Sequence, residues 1–329
     1  MNVSKRLAAS LSKDLKAEIE SFLEGNGGLV FHRVDVNEVA SRYSGSMLYY
    51  VLGYQHGNLH GVCPLHTFRN SFTNISYSGL AKYEIPYGGW IKDSFCSQDI
   101  NMAMLKLGLN ESIEYTSSSF IYGNSIDDLS NRMKETILID LDQQSVDQLW
   151  GSIGAKRRNM IRKAQKNDVL VRQLSDGDLS LFYDLLISMN QRTGMKSKPL
   201  EFYQDIYRVL SPKKACVMAA YFDGKIIATI MIIGNNTMWH YWQGATDTSY
   251  NLGAMDLLLW ESIIHAKASG GEAFDLCVID RVKLPHLAKY KLSFGGVPVH
   301  YLVKGKKRII ARILTKLIHA RTHKVMNAN

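Results

Sequence analysis

The order of structural signals in this chain predicts an α+β fold built from about two domains, and three observations carry that expectation. The chain has 329 residues, roughly twice an ordinary domain. Residues 216–244 read as an antiparallel meander, followed by helix, strand, helix and strand. The G-x-G-x-x-G turn of doubly wound sheets is absent, as are the P-loop, H-E-x-x-H and G-x-S-x-G. An apolar fraction of 46% and a charged fraction of 21% exclude a disordered chain. No run approaches the ~18 apolar residues that span a bilayer. The opening residues lack the apolar centre of a secretory signal, so the expected location is cytoplasmic.

The elements follow in chain order. Met1 to Leu23 reads as a polar helix carrying Lys5, Arg6, Lys13, Asp14, Lys16 and Glu18. Gly25-Asn26-Gly27-Gly28 breaks it, and Leu29–Val34 reads as a strand. Met47–Tyr54 and Gly61–Leu65 flank the polar Gln55-His56-Gly57-Asn58, a hairpin signal. Pro86-Tyr87-Gly88-Gly89-Trp90 is a turn-rich loop, Ser97–Leu107 a helix and Glu135–Leu141 a strand. Ser145–Asn167 reads as one long basic helix, with Leu149, Ile153, Met160, Ile161 and Ala164 on one face. Val169–Leu174 is a short strand and Leu179–Arg192 an amphipathic helix. The meander comprises Cys216–Phe222, Lys225–Ile233 and Thr237–Gly244, with Asp223-Gly224 as its first turn. Leu252-Gly253-Ala254 opens a helix that runs to Ala268 and stops at Gly270-Gly271. Phe274–Ile279 is a strand, His286–Leu292 a short helix and Val297–Val303 a last strand.

Cys63, Cys96, Cys216 and Cys277 show no C-x-x-C or metal-ligand spacing, so buried thiols are expected and no metal is implied. The formal charge of +9 is concentrated in Lys304, Lys306, Lys307, Arg308, Arg312, Lys316, Arg321 and Lys324, a stretch without an acid. Such a tail suits a polyanion: anionic lipid, nucleic acid or a diphosphate. Ile309, Ile310, Ile313, Leu314, Leu317 and Ile318 recur at spacings of three and four, an apolar helical stripe flanked by Arg308, Arg312 and Lys316.

A glycine at a strand-to-helix turn leaves backbone N–H groups at the helix N-terminus, where the helix dipole favours a pyrophosphate. Gly253 and Ala254 are therefore the candidate cofactor-binding residues. Arg158 and Arg162, one helical turn apart, are candidate phosphate clamps. Tyr241 and Trp242 alternate sides of a strand, so one is expected in the core and one at the substrate. His240 is the only histidine of the meander; a lone strand histidine is more often structural.

Several segments in order resemble the FemAB family, the FemAB-like or BioF2-like branch of the GNAT superfamily. They are Glu135–Leu141, Leu149-Trp150, Arg158–Ala164, Val169–Val171, Trp239–Ala245, Leu252–Ala254, Leu258–Trp260, Phe274-Asp275, Leu287–Lys291 and Phe294-Gly295-Gly296. The resemblance implies two GNAT-like domains, each of the acyl-CoA N-acyltransferase fold, in tandem around a cleft. It divides the chain into 1–140, 141–303 and a basic C-terminal helix, 304–329, packing back on the first domain. It implies transfer of an acyl group from acyl-CoA, or an aminoacyl group from aminoacyl-tRNA, to an amine of a cell-envelope sugar or peptide precursor. The acceptor would be a diphosphate-linked, amino-sugar or peptide molecule of peptidoglycan or polysaccharide assembly; peripheral contact to an anionic membrane is expected separately, from the basic amphipathic tail. Lys291 falls on the family's lysine at the reaction centre, with Tyr290 as its aromatic neighbour. An ammonium there would stabilise an oxyanion or hold a phosphate. Asp275 follows its strand as a hydrogen-bond anchor. Gly88 and Gly89 fall on a Gly-Gly loop of the first domain, which here carries no carboxylate; Asp93 is the acid that follows it. The loop before Ala254 departs from the GNAT pattern, with Leu252 where a glycine would stand. The alternative function is a non-catalytic basic protein binding nucleic acid or an anionic membrane.

Overall fold

A computed structural model describes residues 2–69, 74–95, 111–122 and 132–306. The chain divides into two compact units, one built mainly on residues up to Ser119 and one on Met133–Tyr301.

In the first unit, strands β1 (Asn2–Leu7), β2 (Met47–Gln55), β3 (Asn58–Arg69), β4 (Asn74–Ser78) and β6 (Glu111–Tyr122) lie side by side in that order, with β5 (Ile91–Lys92) on β3. The pairs are antiparallel except β4 with β6. The β2–β3 hairpin closes through His56 and Gly57, both at positive φ, as the twist of a tight hairpin requires. Helix α1 (Lys13–Gly25) starts at Ser12, whose hydroxyl accepts the Leu15 N–H. It buries Ile19 and Leu23 with Val34, Leu48, Tyr50, Leu52 and Val62. Helix α2 (Val34–Ser44) ends at Gly45 in the left-handed region.

Two expectations fail here. The N-terminal stretch is not one helix: Asn2–Leu7 pairs with β2, and the helix waits for the Ser12 cap. Leu29–Val34 is not a strand. The His32 ring accepts the Leu29 N–H and Glu20 accepts the Val34 N–H, so side chains satisfy donors that a ladder would otherwise use. Val30–His32 is instead a fully buried 3-10 turn leading into α2.

In the second unit the sheet order is β13 (Val297–Lys306), β7 (Arg132–Asp140), β12 (Ala273–Asp275), β11 (Met238–Thr246), β10 (Lys225–Gly234), β9 (Ala215–Phe222) and β8 (Leu170–Gln173). The meander β9–β10–β11 is antiparallel, as expected, and β11 with β12 is parallel. The helices are α3 (Val146–Ser152), α4 (Ala155–Lys166), α5 (Leu179–Thr193), α6 (Leu200–Leu210), α7 (Ala254–Ala268) and α8 (Pro285–Leu292). The core joins Leu257, Leu258 and Ile263 of α7 to Ile137, Ile139, Ile230, Ile232, Trp239 and Phe274 of the sheet.

The expected long basic helix is two helices. Ser145 caps α3 in a capping box with Gln148, and Ile153-Gly154 interrupts the run. The Gly154 N–H donates to Ser293 O at 2.9 Å, which fixes the break. Strand β12 stops at Asp275 because Cys277 takes φ +58°. Helix α6 is not predicted from the sequence, although Phe202, Tyr203, Ile206, Tyr207 and Leu210 form its buried stripe. The expected helix Ser97–Leu107, Cys96 and the amphipathic tail Ile309–Ile318 with its flanking cations lie outside the described residues. Among the described residues no helix is long and apolar enough to cross a membrane.

Candidate active site

Strands β11 and β12 pair only from Met238↔Ala273 to His240↔Asp275. Beyond that point β11 runs on to Thr246, while residues 276–279 stay with β7: the Leu276 N–H donates to Ile137 O and the Ile279 N–H to Glu135 O. The parallel strands therefore part immediately after His240 and Asp275. Both side chains are fully buried there. His240 Nδ1 donates to Asp275 Oδ2 at 2.9 Å, Thr136 Oγ1 to Asp275 Oδ1 at 2.5 Å, and the Cys277 N–H to the same Oδ1 at 2.8 Å. Three donors hold one carboxylate, so Asp275 is an anchor, in line with its expected role. A histidine that gives Nδ1–H to a carboxylate presents Nε2 as its acceptor.

Lys291 lies beside this ladder. Only 6% of it is exposed, and its Nζ donates to Val278 O at 3.1 Å and Cys277 O at 3.4 Å. It sits 5.6 Å from the centre of the Tyr241 ring. Burial lowers its pKa, while Cys277 and Asp275 pull it back. Burial pushes the Tyr241 phenol up to about 12. The Tyr241 hydroxyl reaches Met255 Sδ at 3.8 Å, and Gly244 leaves room for the ring: a Cβ there would stand 2.4 Å from that hydroxyl.

Ligand atoms of His240, Asp275 and Cys277 lie within 4.8 Å of one another, a donor set a transition metal accepts. Both Asp275 oxygens and His240 Nδ1 are already committed to hydrogen bonds, so the set fits a proton relay better than a metal centre.

The remaining expected site residues are placed differently. Trp242 is the extra residue of a β-bulge, since Tyr241 pairs with Ile232 and Gln243 with Met231. It packs against Phe202 and Tyr203 and belongs to the core. Arg158 donates to Ile153 O, and to Gly151 O at 3.0 Å, capping the carbonyl end of α3 rather than standing ready for phosphate. Arg162 is exposed over the Trp150 ring at 5.4 Å. Gly253 and Ala254 are buried under α4. A Cβ on Gly253 would stand 2.3 Å from Met160 O, so close packing and φ +77° explain this glycine without a pyrophosphate. Gly88 likewise lies against the Ser78–Gly79 backbone, and the Gly89 N–H donates to Ser78 Oγ at 2.8 Å. Asp93 accepts from His60 Nδ1 at 2.7 Å.

Sequence reasoning missed Arg157, Asp256, Thr136 and Cys277. Arg157 pairs with Asp256 at 2.6 Å, joining α4 to the first turn of α7, and stacks 5.1 Å from the centre of the Tyr290 ring. The Tyr290 hydroxyl is buried without a hydrogen-bond partner, and burial raises its pKa well above the ordinary value. Arg157 is the immediate neighbour of Arg158, on the helix face turned toward α7.

A split parallel pair after an antiparallel meander is the strand arrangement of the GNAT fold. Residues 155–292 match the family described as Acetyltransferase (GNAT) domain, and the fold is that of two GNAT-like units in tandem. The chain is similar in structure to FemX, with a TM-score of 0.71 and 12% identity over 92% of this chain and 97% of that one. It is also similar to the C-terminal domain (DUF2156) of a protein named as a lysylphosphatidylglycerol synthetase from Agrobacterium fabrum, with a TM-score of 0.57 and 12% identity, over 92% and 94% of the chains. A third likeness is to N-myristoyltransferase from Saccharomyces cerevisiae with bound myristoyl-CoA, with a TM-score of 0.51 and 14% identity, over 93% and 83%. No curated protein sequence matches the chain significantly.

Proposed function

We propose that the protein is an N-acyltransferase that moves an acyl or aminoacyl group from acyl-CoA or aminoacyl-tRNA to an amine of a cell-envelope precursor. The observation that carries this reading is the buried Lys291 ammonium beside the parting of β11 and β12, framed by Tyr241 and the His240–Asp275 pair. A neutral amine attacking an ester or thioester carbonyl builds negative charge on the carbonyl oxygen. A preorganised cation in a water-poor site stabilises that charge without reorganising. Holding both reactants at the parting supplies the proximity term.

The likeness to a chain with myristoyl-CoA bound supports a CoA donor. The one named as a lysylphosphatidylglycerol synthetase supports an aminoacyl donor, and the FemAB resemblance supports an envelope acceptor. The basic stretch from Lys304 suits an acceptor linked to diphosphate or lodged at an anionic membrane. The test is direct. Purified protein is offered labelled acyl-CoA and charged tRNA pools in turn, each with lipid-linked and soluble amino-sugar and peptide precursors. Label appearing in an amide product supports the reading. No transfer from either pool, together with steeply salt-dependent polyanion binding, would replace it with the non-catalytic alternative.

A further inference from the structure

We propose that the segment Arg281–Leu287, where the loop after β12 enters α8, is a membrane-docking element that seats on the anionic surface of a lipid bilayer. The inference rests on the acyl-transfer reading above for the site it serves, and it adds the surface on which the acceptor is met. Its basis is an apolar tip left in solvent. Val282 is 90% exposed, Leu284 54% and Leu287 41%. A single exposed valine or leucine is ordinary, and Val146, Leu170 and Met195 are scattered in that way. Among the described residues, only here do three large exposed apolar side chains fall within six residues, Val282–Leu287. Such a concentration marks a contact surface.

The tip is tied in place. Asp280 Oδ1 accepts the Val282 N–H at 3.0 Å and the Lys283 N–H at 2.7 Å, and the Leu284 N–H donates to Asp280 O at 2.9 Å. Arg281 donates to both Glu135 oxygens, at 2.8 and 2.6 Å, which fastens the segment to β7. Pro285 then opens the first turn of α8. A segment held this way loses little freedom on binding.

Charge selects the partner. Lys283 and Lys289 are exposed beside the apolar tip. The neighbouring acids are engaged, Glu135 by the Arg281 guanidinium and Asp280 by two backbone N–H groups. From Arg281 to Asn329 the sequence contains no Asp or Glu, while Lys and Arg recur throughout. A second copy of the chain seated on this patch would set lysine against lysine. An anionic bilayer suits both halves of the surface: the apolar side chains enter the boundary of the acyl chains, and the ammonium groups stay among the lipid phosphates. The segment is also continuous with the candidate reaction centre. Lys291 lies on α8, and its Nζ donates to Val278 O, two residues before Asp280. Docking therefore brings Lys291 close to the bilayer surface, where a lipid-linked acceptor presents its amine. Two or three side chains are too few to hold the protein without charge, so salt still releases it. What the tip adds is a constant factor on the affinity that the cations supply.

The experiment floats the full chain with vesicles of phosphatidylglycerol and phosphatidylcholine in equal parts. Val282→Ser combined with Leu284→Ser should weaken partitioning about tenfold, by a factor that does not change with salt, because apolar burial is not screened. Lys283→Gln combined with Lys289→Gln should weaken it about fivefold for each charge at low salt, and little at high salt. All four side chains are exposed, so both variants should fold as wild type does by circular dichroism. In the unaltered chain, the amides of Val282, Lys283 and Leu284 should exchange hydrogen more slowly when vesicles are present. Transfer to a soluble acceptor should be unchanged in the serine variant, while transfer to a lipid-linked acceptor in vesicles falls. A serine variant that partitions as wild type does overturns the proposal and leaves the acyl-transfer reading intact. Equal binding to vesicles of phosphatidylcholine alone also overturns it. So does a serine variant that loses self-association in sedimentation while its vesicle binding is unchanged, which would assign the patch to a second copy. Vesicle binding that depends on the tip, without acyl transfer from any donor, would sink the acyl-transfer reading and leave the docking surface standing.

Discussion

Replacing Arg157 with methionine tests whether α4 is locked to α7 by charge. The two side chains are 14% and 8% exposed and meet at 2.6 Å, so the pair is shielded from water and salt. Removing one partner of such a pair strands the other, at a cost of about 3–5 kcal/mol. Burial already raises the Asp256 pKa despite the pull of Arg157. Without Arg157 it rises further. The sign follows from proton counting: a folded-state pKa above the unfolded value, about 4, means the native state holds the extra proton between the two. Stability is therefore fully present below the unfolded pKa and lost as pH rises through the folded one. Arg157→Met should be markedly destabilised in urea melts at pH 8 and should recover part of the loss at pH 5. Arg157→Met with Asp256→Asn should recover most of it at both. A single variant within about 0.5 kcal/mol of wild type at pH 8, the ordinary range of a neutral surface change, would refute the argument.

Gly253→Ala must adopt φ +77° and place a Cβ 2.3 Å from the Met160 carbonyl, so it should lose about 2–4 kcal/mol in chemical denaturation. A variant of wild-type stability that loses CoA binding would instead restore the pyrophosphate role expected from sequence. Lys291→Met should lose about 10²–10³-fold in transfer rate while remaining folded by circular dichroism. Because burial lowers the Lys291 pKa, wild-type stability gains from this group as pH rises through its folded value toward about 10.4, and the methionine variant should lack that gain in alkaline urea melts. The chain should bind anionic vesicles weakly and release them in high salt, as liposome flotation would show, because the cations of the tail act by charge alone.

Much of the second unit was legible because its punctuation is local. Asp223 and Gly224 both take positive φ in the turn between β9 and β10, and Gly253 takes it at the start of α7. Each signal sits within a few residues of the feature it sets. The failures share an opposite cause. The strand Asn2–Leu7 exists only because β2 lies beside it, far along the chain, from Leu7↔Tyr49 to Asn2↔Tyr54, and nothing in its own pattern demands pairing. The apolar Leu29–Val34 fits a buried strand and a buried helical turn equally well. The choice was made by Glu20, which belongs to another helix.

The site divides along the same line. Lys291 and Tyr290 were expected through resemblance and Tyr241 from strand alternation, and the structure places Lys291 beside Tyr241; Arg158 caps α3, Gly253 packs under α4, and Arg162 stands exposed over Trp150. Arginines on a basic helix look alike in sequence, and only the fold shows which one turns inward: Arg157 meets a carboxylate 99 residues away. The fold also decides which group at the strand parting can move a proton. Asp275 is fully buried, and three donors engage its two oxygens, so protonating it would break hydrogen bonds that hold three strands' worth of side chains in place. Lys291 gives its protons to the Cys277 and Val278 carbonyls, an arrangement that favours a fixed donor over a base. That leaves His240 fully buried with its Nδ1 held by Asp275, so at this parting the carboxylate, the imidazole and the ammonium are all fixed in place before any ligand arrives.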